Sequence, residues 1–388
     1  MTSTQHSTAL YPRTALSLLT RYAQIYPAVV INGPRQSGKK TLAQTTFPHL
    51  PYVSLENLDT QVSFIKDPRQ FLMYYKNGAI FDEVQHTPTL LSYLQEIIDS
   101  SPANGRFIIT GSQNFTLNSH ITQSLAGRVG TITLLPLSYT ELGSVHTPNS
   151  LILQGGYPRL HSNQMTPLEF YPSYINSYIE RDVRQLKNIQ DLSTFKTFIQ
   201  LCAGRTGQLL NIHSLSQECS IDHKTAQSWL SVLEASYIIF LLRPYHKNFN
   251  KRLTKSPKLY FYDTGLAASL LTITTPEQLA VHFARGSLFE NLIVTEILKR
   301  RLHSGIPPQL SFWNESSSRE IDLVDTSMGG HNLIEIKSGH TLNAADSKHL
   351  EALAPLFTQA RLFLIYGAPQ KGVLGNTTLL SLETLHTL

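Results

Sequence analysis

Two cysteines in 388 residues, Cys202 and Cys219, are too few for a disulfide framework, and neither has metal-ligand spacing. They read as buried thiols in a reducing compartment, so a cytoplasmic location is expected. Nowhere does a run of about eighteen apolar residues occur, which argues against a membrane-spanning helix and a membrane partner. Met1 to Tyr11 is polar and lacks an apolar core followed by a cleavage site, so no secretory signal is expected there. Charge of either sign is sparse: 32 Lys and Arg against 27 Asp and Glu leave a net charge of +5. So mild an excess, spread along the chain, permits nucleic-acid binding and lends it weak support. Apolar residues at 41% and a mean hydropathy of -0.12 describe a globular protein. Its length calls for two or three domains.

A hydroxyl is also missing where one is expected. Residues 30–42 read Val-Ile-Asn-Gly-Pro-Arg-Gln-Ser-Gly-Lys-Lys-Thr-Leu, a glycine loop of the form Gly33-x4-Gly38-Lys39. The apolar run Ala28-Val29-Val30-Ile31 precedes it as a buried strand would, and Thr41-Leu42-Ala43-Gln44 suits a following helix. In such a loop the backbone of Gly33, Pro34, Arg35, Gln36, Ser37 and Gly38 wraps a β-phosphate, and Lys39 neutralises charge across the β and γ phosphates of ATP. The next position, where Ser or Thr ordinarily ligates Mg2+, is Lys40. A charged ammonium offers a cation no lone pair, so phosphate binding is expected to survive and magnesium binding to be weakened. Thr41 comes one residue late and, on a helix, about 100° round.

Two further strand ends follow in order. Asn77-Gly78-Ala79-Ile80-Phe81-Asp82-Glu83 closes an apolar strand with two carboxylates: Asp82 to orient Mg2+ or its water, Glu83 to polarise an attacking water. Alone, such a pair is equally well ordinary surface. Arg106 to Thr110 then delivers Gly111-Ser112-Gln113-Asn114, with Ser112 placed to sense a γ-phosphate. Ligands in open α/β sheets bind outside the carboxyl ends of the strands, where all three would converge. Arg128, Arg181 and Arg184 are candidates for contacting that phosphate, in cis or across a subunit boundary; for the last two a solvated helix face with local ion pairs is the simpler account.

Past the Pro- and Gly-containing stretch Gly155-Gly156-Tyr157-Pro158-Arg159, helical periodicity resumes at Phe195. A short helix around Ile212–Leu215, a turn at Cys219–Asp222, and a helix from Lys224 to Leu233 capped by Asp222 precede strands at Tyr237–Leu242 and Lys258–Tyr262. This order predicts a winged helix-turn-helix. His223, Lys224, Gln227 and Ser228 form its exposed face, for a DNA major groove or a protein partner. The loop Tyr245-His246-Lys247-Asn248-Phe249-Asn250-Lys251-Arg252 is more basic and suits a phosphate backbone better.

The last hundred residues hold a second constellation. Glu290 lies on a helix read as amphipathic, Gly286 to Leu298. A strand beginning near Phe312-Trp313 reaches Arg319-Glu320-Ile321-Asp322-Leu323-Val324, and after a Gly-containing turn the chain returns as Asn332-Leu333-Ile334-Glu335-Ile336-Lys337. Period-two alternation puts Glu335 and Lys337 on one sheet face. Asp322 and Glu335 can then bind Mg2+ while Lys337 holds an attacking water or the charge developing on phosphorus. An isolated Glu-x-Lys on an edge strand is common; Asp322 and Glu290 beside it favour the metal-dependent phosphodiesterase reading.

The strings G-P-R-Q-S-G-K, I-F-D-E-V-Q, I-I-T-G-S-Q, L-A-G-R-V, G-G-Y-P, Y-I-E-R-D-V, K-S-P-K-L-Y-F-Y-D-T-G-L, F-E-N-L-I-V-T-E and I-E-I-K-S-G, in this order, resemble the prokaryotic AAA-type ATP-binding proteins that carry a C-terminal domain of unknown function, DUF4143. The resemblance runs from about residue 10 to 370. It implies an α/β chain with an AAA-like P-loop core at 1–165, a helical connector at 166–194, a winged-helix segment at 195–280 and a PD-(D/E)xK restriction-endonuclease-like domain at 281–388. It further implies ATP and Mg2+ as cofactors, and DNA and further copies of the chain as partners. Family members usually have Thr at the position of Lys40, whereas Glu290, Asp322, Glu335 and Lys337 all match. Two functions follow: an ATP-regulated magnesium nuclease acting in defence or DNA processing, or a nucleotide-gated DNA- or protein-binding switch on a nuclease-like scaffold.

Overall fold

The structure, a computed structural model, describes residues 10–101, 103–112, 125–143, 146–162, 165–178, 189, 191–245, 256–316, 319–369 and 371–388. Its first unit holds α1 (Leu16–Ile25), β1 (Ala28–Asn32), α2 (Lys39–Thr46), β2 (Tyr52–Ser54), β3 (Ala79–Asp82), α3 (Leu90–Ser100), β4 (Phe107–Gly111) and β5 (Val129–Thr133). The five strands form one parallel sheet in the order β2-β3-β4-β1-β5. Alternation along β1 explains why both faces are covered. Ala28 and Val30 pack with Leu90, Leu94 and Ile98 of α3, whereas Val29 and Ile31 pack with Leu18, Leu19, Leu42 and Ala43 of α1 and α2. Each fully buried Val or Ile here contributes roughly 1.5–3 kcal/mol, enough to fix the strand whose end presents the glycine loop.

The middle of the chain contains α4 (Pro167–Tyr174), α5 (Leu192–Gly204), α6 (Ile212–Glu218), α7 (His223–Ala235), the antiparallel pair β6 (Ile239–Leu242) and β7 (Lys258–Phe261), and α8 (Thr264–Leu270). Asp222 caps α7 by accepting the Lys224 and Thr225 N–H groups at 2.9 and 3.0 Å. Trp229 is gripped edge-on by Phe195 and Phe198, each ring centroid 5.2 Å away. Leu230 and Leu233 are buried beside it, as the stripe required. Of the stretch expected to be a connector, α4 packs into the core. Phe170, Tyr171 and Tyr174 of α4 are buried, and the Tyr171 hydroxyl donates to Asp263 Oδ1 at 2.6 Å. Asp263 also caps α8 through the Leu266 N–H and accepts the Gly156 N–H, so Gly-Gly-Tyr-Pro and Tyr-Asp-Thr-Gly are two sides of one buried junction.

The C-terminal part comprises α9 (Arg285–His303), β8 (Leu310–Ser316), β9 (Arg319–Asp325), β10 (His331–Lys337), α10 (Ala344–Leu353), β11 (Ala360–Tyr366), β12 (Gly372–Leu374) and β13 (Thr377–Leu380). Its six strands lie in the order β12-β13-β11-β10-β9-β8, with β10, β11 and β13 parallel and the others antiparallel. Residues 310–325, read from the sequence as one strand, are a hairpin of two. The amphipathic reading of the Glu290 helix is also corrected, because α9 is buried on most of its surface. Its polar residues are partnered from both sides. Asn291 bonds the backbone of Phe261 in both directions, at 2.8 and 2.7 Å, while Glu296 accepts the Tyr139 N–H at 2.8 Å. One continuous apolar core therefore runs from Leu137 through the middle helices to Leu385. Among the described residues no helix is long and apolar enough to cross a membrane.

Candidate functional site

Two sites emerge. At the first, the chain leaves β1 and turns through Gly33 at φ 140°, where a Cβ would stand 2.2 Å from the Leu134 carbonyl oxygen, so only glycine fits. The loop folds over the buried Lys39, whose ammonium donates to the Gly33 and Pro34 carbonyls at 3.0 and 2.8 Å. Burial pushes that ammonium below the usual lysine range, opposed by Glu83 and Asp82. The three strand ends do converge. Thr110 Oγ1 accepts the Glu83 N–H at 3.2 Å and donates to Asp82, and Gln85 Nε2 bonds both Glu83 and Ser112, the latter at 3.1 Å. Glu83 sits in left-handed backbone, φ 57°. Burial alone would raise its carboxyl, but Lys39, Gln85 and Ser112 hold it below the ordinary carboxylate range. It is therefore ionised at neutral pH.

The magnesium position departs from the usual arrangement. Lys40 is exposed and lays its ammonium over the Tyr52 ring, 4.2 Å from the centroid. The Tyr52 hydroxyl in turn donates to Asp82 Oδ2 at 2.5 Å, so both Asp82 oxygens already have protein donors. Thr41 points away and is exposed, Arg35 pairs with Glu56 at 2.9 Å, and Gln36 at φ 62° is exposed at the crest of the loop. Arg128 needs correction. It precedes β5, at the amino ends of parallel strands, roughly 13 Å along a five-residue strand from the glycine loop at the other end. There it makes a two-point ion pair with Asp99 at 2.5 and 3.0 Å, out of reach of a phosphate held by the same chain. Gln113, Asn114, Arg181, Arg184 and the basic stretch 246–252 lie outside the described residues.

Sequence reasoning missed Arg13 and Tyr11. The Arg13 guanidinium donates at 2.6 Å to both the Ser37 and Leu135 carbonyls and pairs with Glu141 at 3.1 Å, pinning the loop from behind. Beside Gly38 and Thr41 opens a mostly apolar cleft of about 490 Å³, bounded by Tyr11, Pro12, Leu42, Leu137 and Pro158. Neither residue carries a motif, and only the fold brings residues 11–13 against the loop.

The second site gathers on the C-terminal sheet. Pairing of β9 with β10 ends at Leu323–Ile334, one step short of Asp322 and Glu335. There the Asp322 carboxylate accepts the Ile336 N–H at 2.8 Å in place of a ladder bond. Glu335 Oε1 takes the Lys337 ammonium at 2.5 Å, whereas its Oε2 is buried with no hydrogen-bond partner. Glu290 joins from α9. Burial and the neighbouring Asp322 push both Glu290 and Glu335 well above the ordinary carboxylate range, and burial raises Asp322 as well. Carboxylates so crowded favour a cation among them. The four residues singled out in the sequence are thus together.

Three more side chains stand with them: Lys258 and Tyr260 from β7, and Glu320 two residues before Asp322 on the same strand face. Lys258 Nζ lies 2.7 Å from Glu320 Oε1, 3.2 Å from Glu290 Oε1 and 3.9 Å from Asp322 Oδ1, and Tyr260 OH donates to Glu290 at 2.5 Å. Burial alone would lower the Lys258 ammonium, but Glu290, Asp322 and Glu320 override it and hold it above the lysine range. The available signal was a lysine inside an otherwise apolar strand, Lys258-Leu259-Tyr260-Phe261.

Comparison with known proteins divides the chain along the same lines. Residues 26–143 match the family model of an AAA domain, 146–277 a domain of unknown function (DUF8612), and 285–385 a domain of unknown function (DUF4143). Residues 26–143 are an AAA-type, ATPase-like domain. Uncharacterised proteins of Mycobacterium tuberculosis (H37Rv) and Mycobacterium bovis are each 28% identical over 369 residues, covering 94% of this chain and 82% of their own length. Among solved structures, a Walker-type ATPase of Pyrococcus abyssi aligns at 14% identity with a TM-score of 0.44, over 68% of this chain and 99% of its own. AMPPCP-bound DnaA from Aquifex aeolicus aligns at 13% identity with a TM-score of 0.31, over 57% of this chain and 85% of its own.

Proposed function

We propose that the protein is an ATP-binding, metal-dependent DNA endonuclease. The AAA-type domain takes the nucleotide phosphates on its glycine loop and Lys39, with the base in the apolar cleft beside Tyr11 and Pro158. The observation that carries the nuclease half is the convergence of Asp322, Glu335 and Lys337 on one splayed strand pair with Glu290 facing them. A divalent cation fits this donor set, because Glu335 Oε2 is buried without a partner and the carboxylates outnumber the ammonium groups. Asp322 and Glu335 would hold it, and it would supply Lewis-acid polarisation of a phosphodiester. Lys337, fixed by Glu335, orients a water oxygen for attack on phosphorus and neutralises charge as the P–O bond breaks. The attacking water gives up its proton to solvent, and the leaving oxygen takes one from solvent.

The DNA would lie along the middle segment, read as a winged helix: α5, α6 and α7 precede the β6–β7 hairpin, and His223, Lys224 and Gln227 are exposed on α7. Further copies of the chain are expected as partners, as in other AAA-type assemblies. The test is cleavage of supercoiled plasmid with Mg2+ or Mn2+ by wild type and Glu335→Ala, alongside nucleotide binding. Cutting by wild type that disappears in a folded Glu335→Ala protein supports the nuclease.

One observation favours a second reading. Lys40 stands where a magnesium-binding hydroxyl belongs, and each Asp82 oxygen already accepts a protein donor, from Tyr52 or Thr110. Nucleotide binding without efficient turnover follows from that, so the AAA-type domain would act as a switch. No cutting under any metal, with nucleotide and DNA still bound, would leave this reading in place of the first.

A further inference from the structure

The C-terminal site contains a lysine that comes from outside its own sheet. β7 belongs to the middle segment, yet it turns Lys258 into the carboxylates of α9 and β9. The residue is 4% exposed, and it is held there from its own strand as well: the Lys258 backbone pairs with Leu242 and bridges to Leu209. Its ammonium is shared by Glu320, Glu290 and Asp322 at 2.7, 3.2 and 3.9 Å. A lysine ammonium is a compact point charge, comparable in reach to a bound cation.

The charge balance states what is left over. Glu290, Glu320, Asp322 and Glu335 bring four negative charges; Lys258 and Lys337 answer two of them. Three of the carboxylates, Glu290, Glu320 and Asp322, share Lys258, and the buried acceptor atom left without a partner in the cluster is on Glu335. Its side chain is 9% exposed, Oε1 is on Lys337, and Oε2 has no partner. Among the described residues, moreover, no three His, Cys, Asp or Glu side chains group as a metal cage. Lys258 accounts for that by drawing Glu320 and Glu290 closest, at 2.7 and 3.2 Å, with Asp322 farther off at 3.9 Å, which leaves Asp322 and Glu335 as the pair for an ion.

We propose that Lys258 is a built-in cation that fills the second of two cation positions, so that the site binds one divalent ion, between Asp322 and Glu335. This rests on the metal-site reading above and adds the stoichiometry and the residue that sets it. It also makes the site composite: the middle segment supplies one charge of the C-terminal centre, and any displacement of the β6–β7 hairpin withdraws it. Lys258 acts here as a positioning residue, holding Glu290 and Glu320 away from the bound ion.

Nucleotide-free, full-length protein titrated with Mn2+, with bound ion counted by calorimetry and by electron paramagnetic resonance, tests this without any catalytic assay. Wild type is expected to bind one Mn2+ per chain, Glu335→Ala none, and Lys258→Ala two, the second weaker. Lys258→Arg, which keeps the charge, stays at one. If Lys258→Ala does not fold, Lys258→Gln, similar in length but neutral, must show the same rise to two. Two ions in wild type, or one in a folded Lys258→Ala or Lys258→Gln protein, overturns the role of Lys258 while leaving a metal site. No ion in wild type overturns the metal-site reading itself, and the role of Lys258 with it.

Discussion

The glycine loop and the C-terminal carboxylate cluster are built from the same two residue types and have opposite charge surplus. At the loop, Lys39 is buried among carbonyls, Lys40 and Arg35 stand nearby, and the facing Glu83 is held below its ordinary range, ionised and compensated. In the C-terminal cluster the lysines are the compensated partners, Glu290 and Glu335 are pushed up by burial and by Asp322, and Asp322 is pushed up by burial and by Glu320. The first site therefore has room for an anion and the second for a cation. Neither conclusion follows from counting charged residues, since the chain as a whole is nearly balanced; it follows from which partner each buried charge already has.

The sharpest way to break the comparison is at Glu335. Glu335→Ala removes the unpartnered oxygen and the anchor of Lys337 together, so plasmid cleavage is expected to fall at least about 100-fold. Nucleotide affinity should not move, because the loop lies in another part of the chain. A parallel loss of nucleotide binding would show that the two sites are one cooperative unit. The complementary change, Lys39→Ala, deletes a charged donor to phosphate. It is expected to weaken ATP binding by roughly 10- to 100-fold, the equivalent of about 1.5–3 kcal/mol, read by calorimetry, with Mn2+ binding to the C-terminal cluster unchanged.

A smaller effect separates phosphate binding from metal binding within the loop. Lys40→Thr restores a hydroxyl where the ammonium now lies over Tyr52. ATP hydrolysis is expected to rise roughly tenfold, about 1.4 kcal/mol of barrier, and EDTA should then reduce nucleotide affinity in the variant more than in wild type. Equal sensitivity to EDTA in both proteins would mean that Asp82, despite its two donors, already holds the ion.

Local signals carried the reading of the sequence well. The glycine spacing, the apolar runs ending in Asp82-Glu83 and in Thr110, the Asp222 cap and the Glu335-x-Lys337 alternation depend on neighbours within a few residues, and each lies where expected. What the sequence did not reveal depends on packing between distant segments. Lys258 looks like one more residue of a short strand until β7 is laid against α9. The helix read as Gly286 to Leu298 seemed amphipathic, with Glu290 and Glu296 among apolar residues; in the fold it runs on to His303, and Glu296, Lys299, Arg301 and His303 are buried and paired. Contact of Arg128 with a phosphate of its own chain failed for the same reason in reverse, since a sequence shows that an arginine precedes a strand but not which end of the sheet that strand start occupies.

The last expected effect falls on stability alone and concerns the joint between the two regions. His303, in the last turn of α9, accepts the Leu135 N–H on Nε2 at 3.2 Å and shares its Nδ1 proton with Thr14 Oγ1 at 3.0 Å. Thr14 and Arg13 in turn bond Glu141, and Arg13 holds Ser37 of the glycine loop. Burial lowers His303 to about 4, with Arg13 and Lys299 adding to the effect and Glu141 opposing it. The native state thus binds fewer protons than the unfolded chain between the ordinary histidine value and about 4. The His303 contribution, about 3 kcal/mol, is complete above pH 6.5 and drains away as the pH falls toward 4. Glu141, which burial would raise but which Arg13, His303 and the Ser138 and Thr14 N–H groups bring down to about 2, adds a separate loss that begins only below about pH 4.5. Glu290 and Glu335, raised by burial, take up protons in the same window with the opposite sign, so the His303 loss is read as a difference. Urea unfolding across pH 7 to 3.5 should show wild-type stability falling relative to His303→Gln between about pH 6.5 and 4, with the Glu141 loss below about 4.5 common to both. A difference that stays constant across that window would place the titrating group elsewhere and remove α9 as the acid-sensitive joint between the glycine loop and the carboxylate cluster.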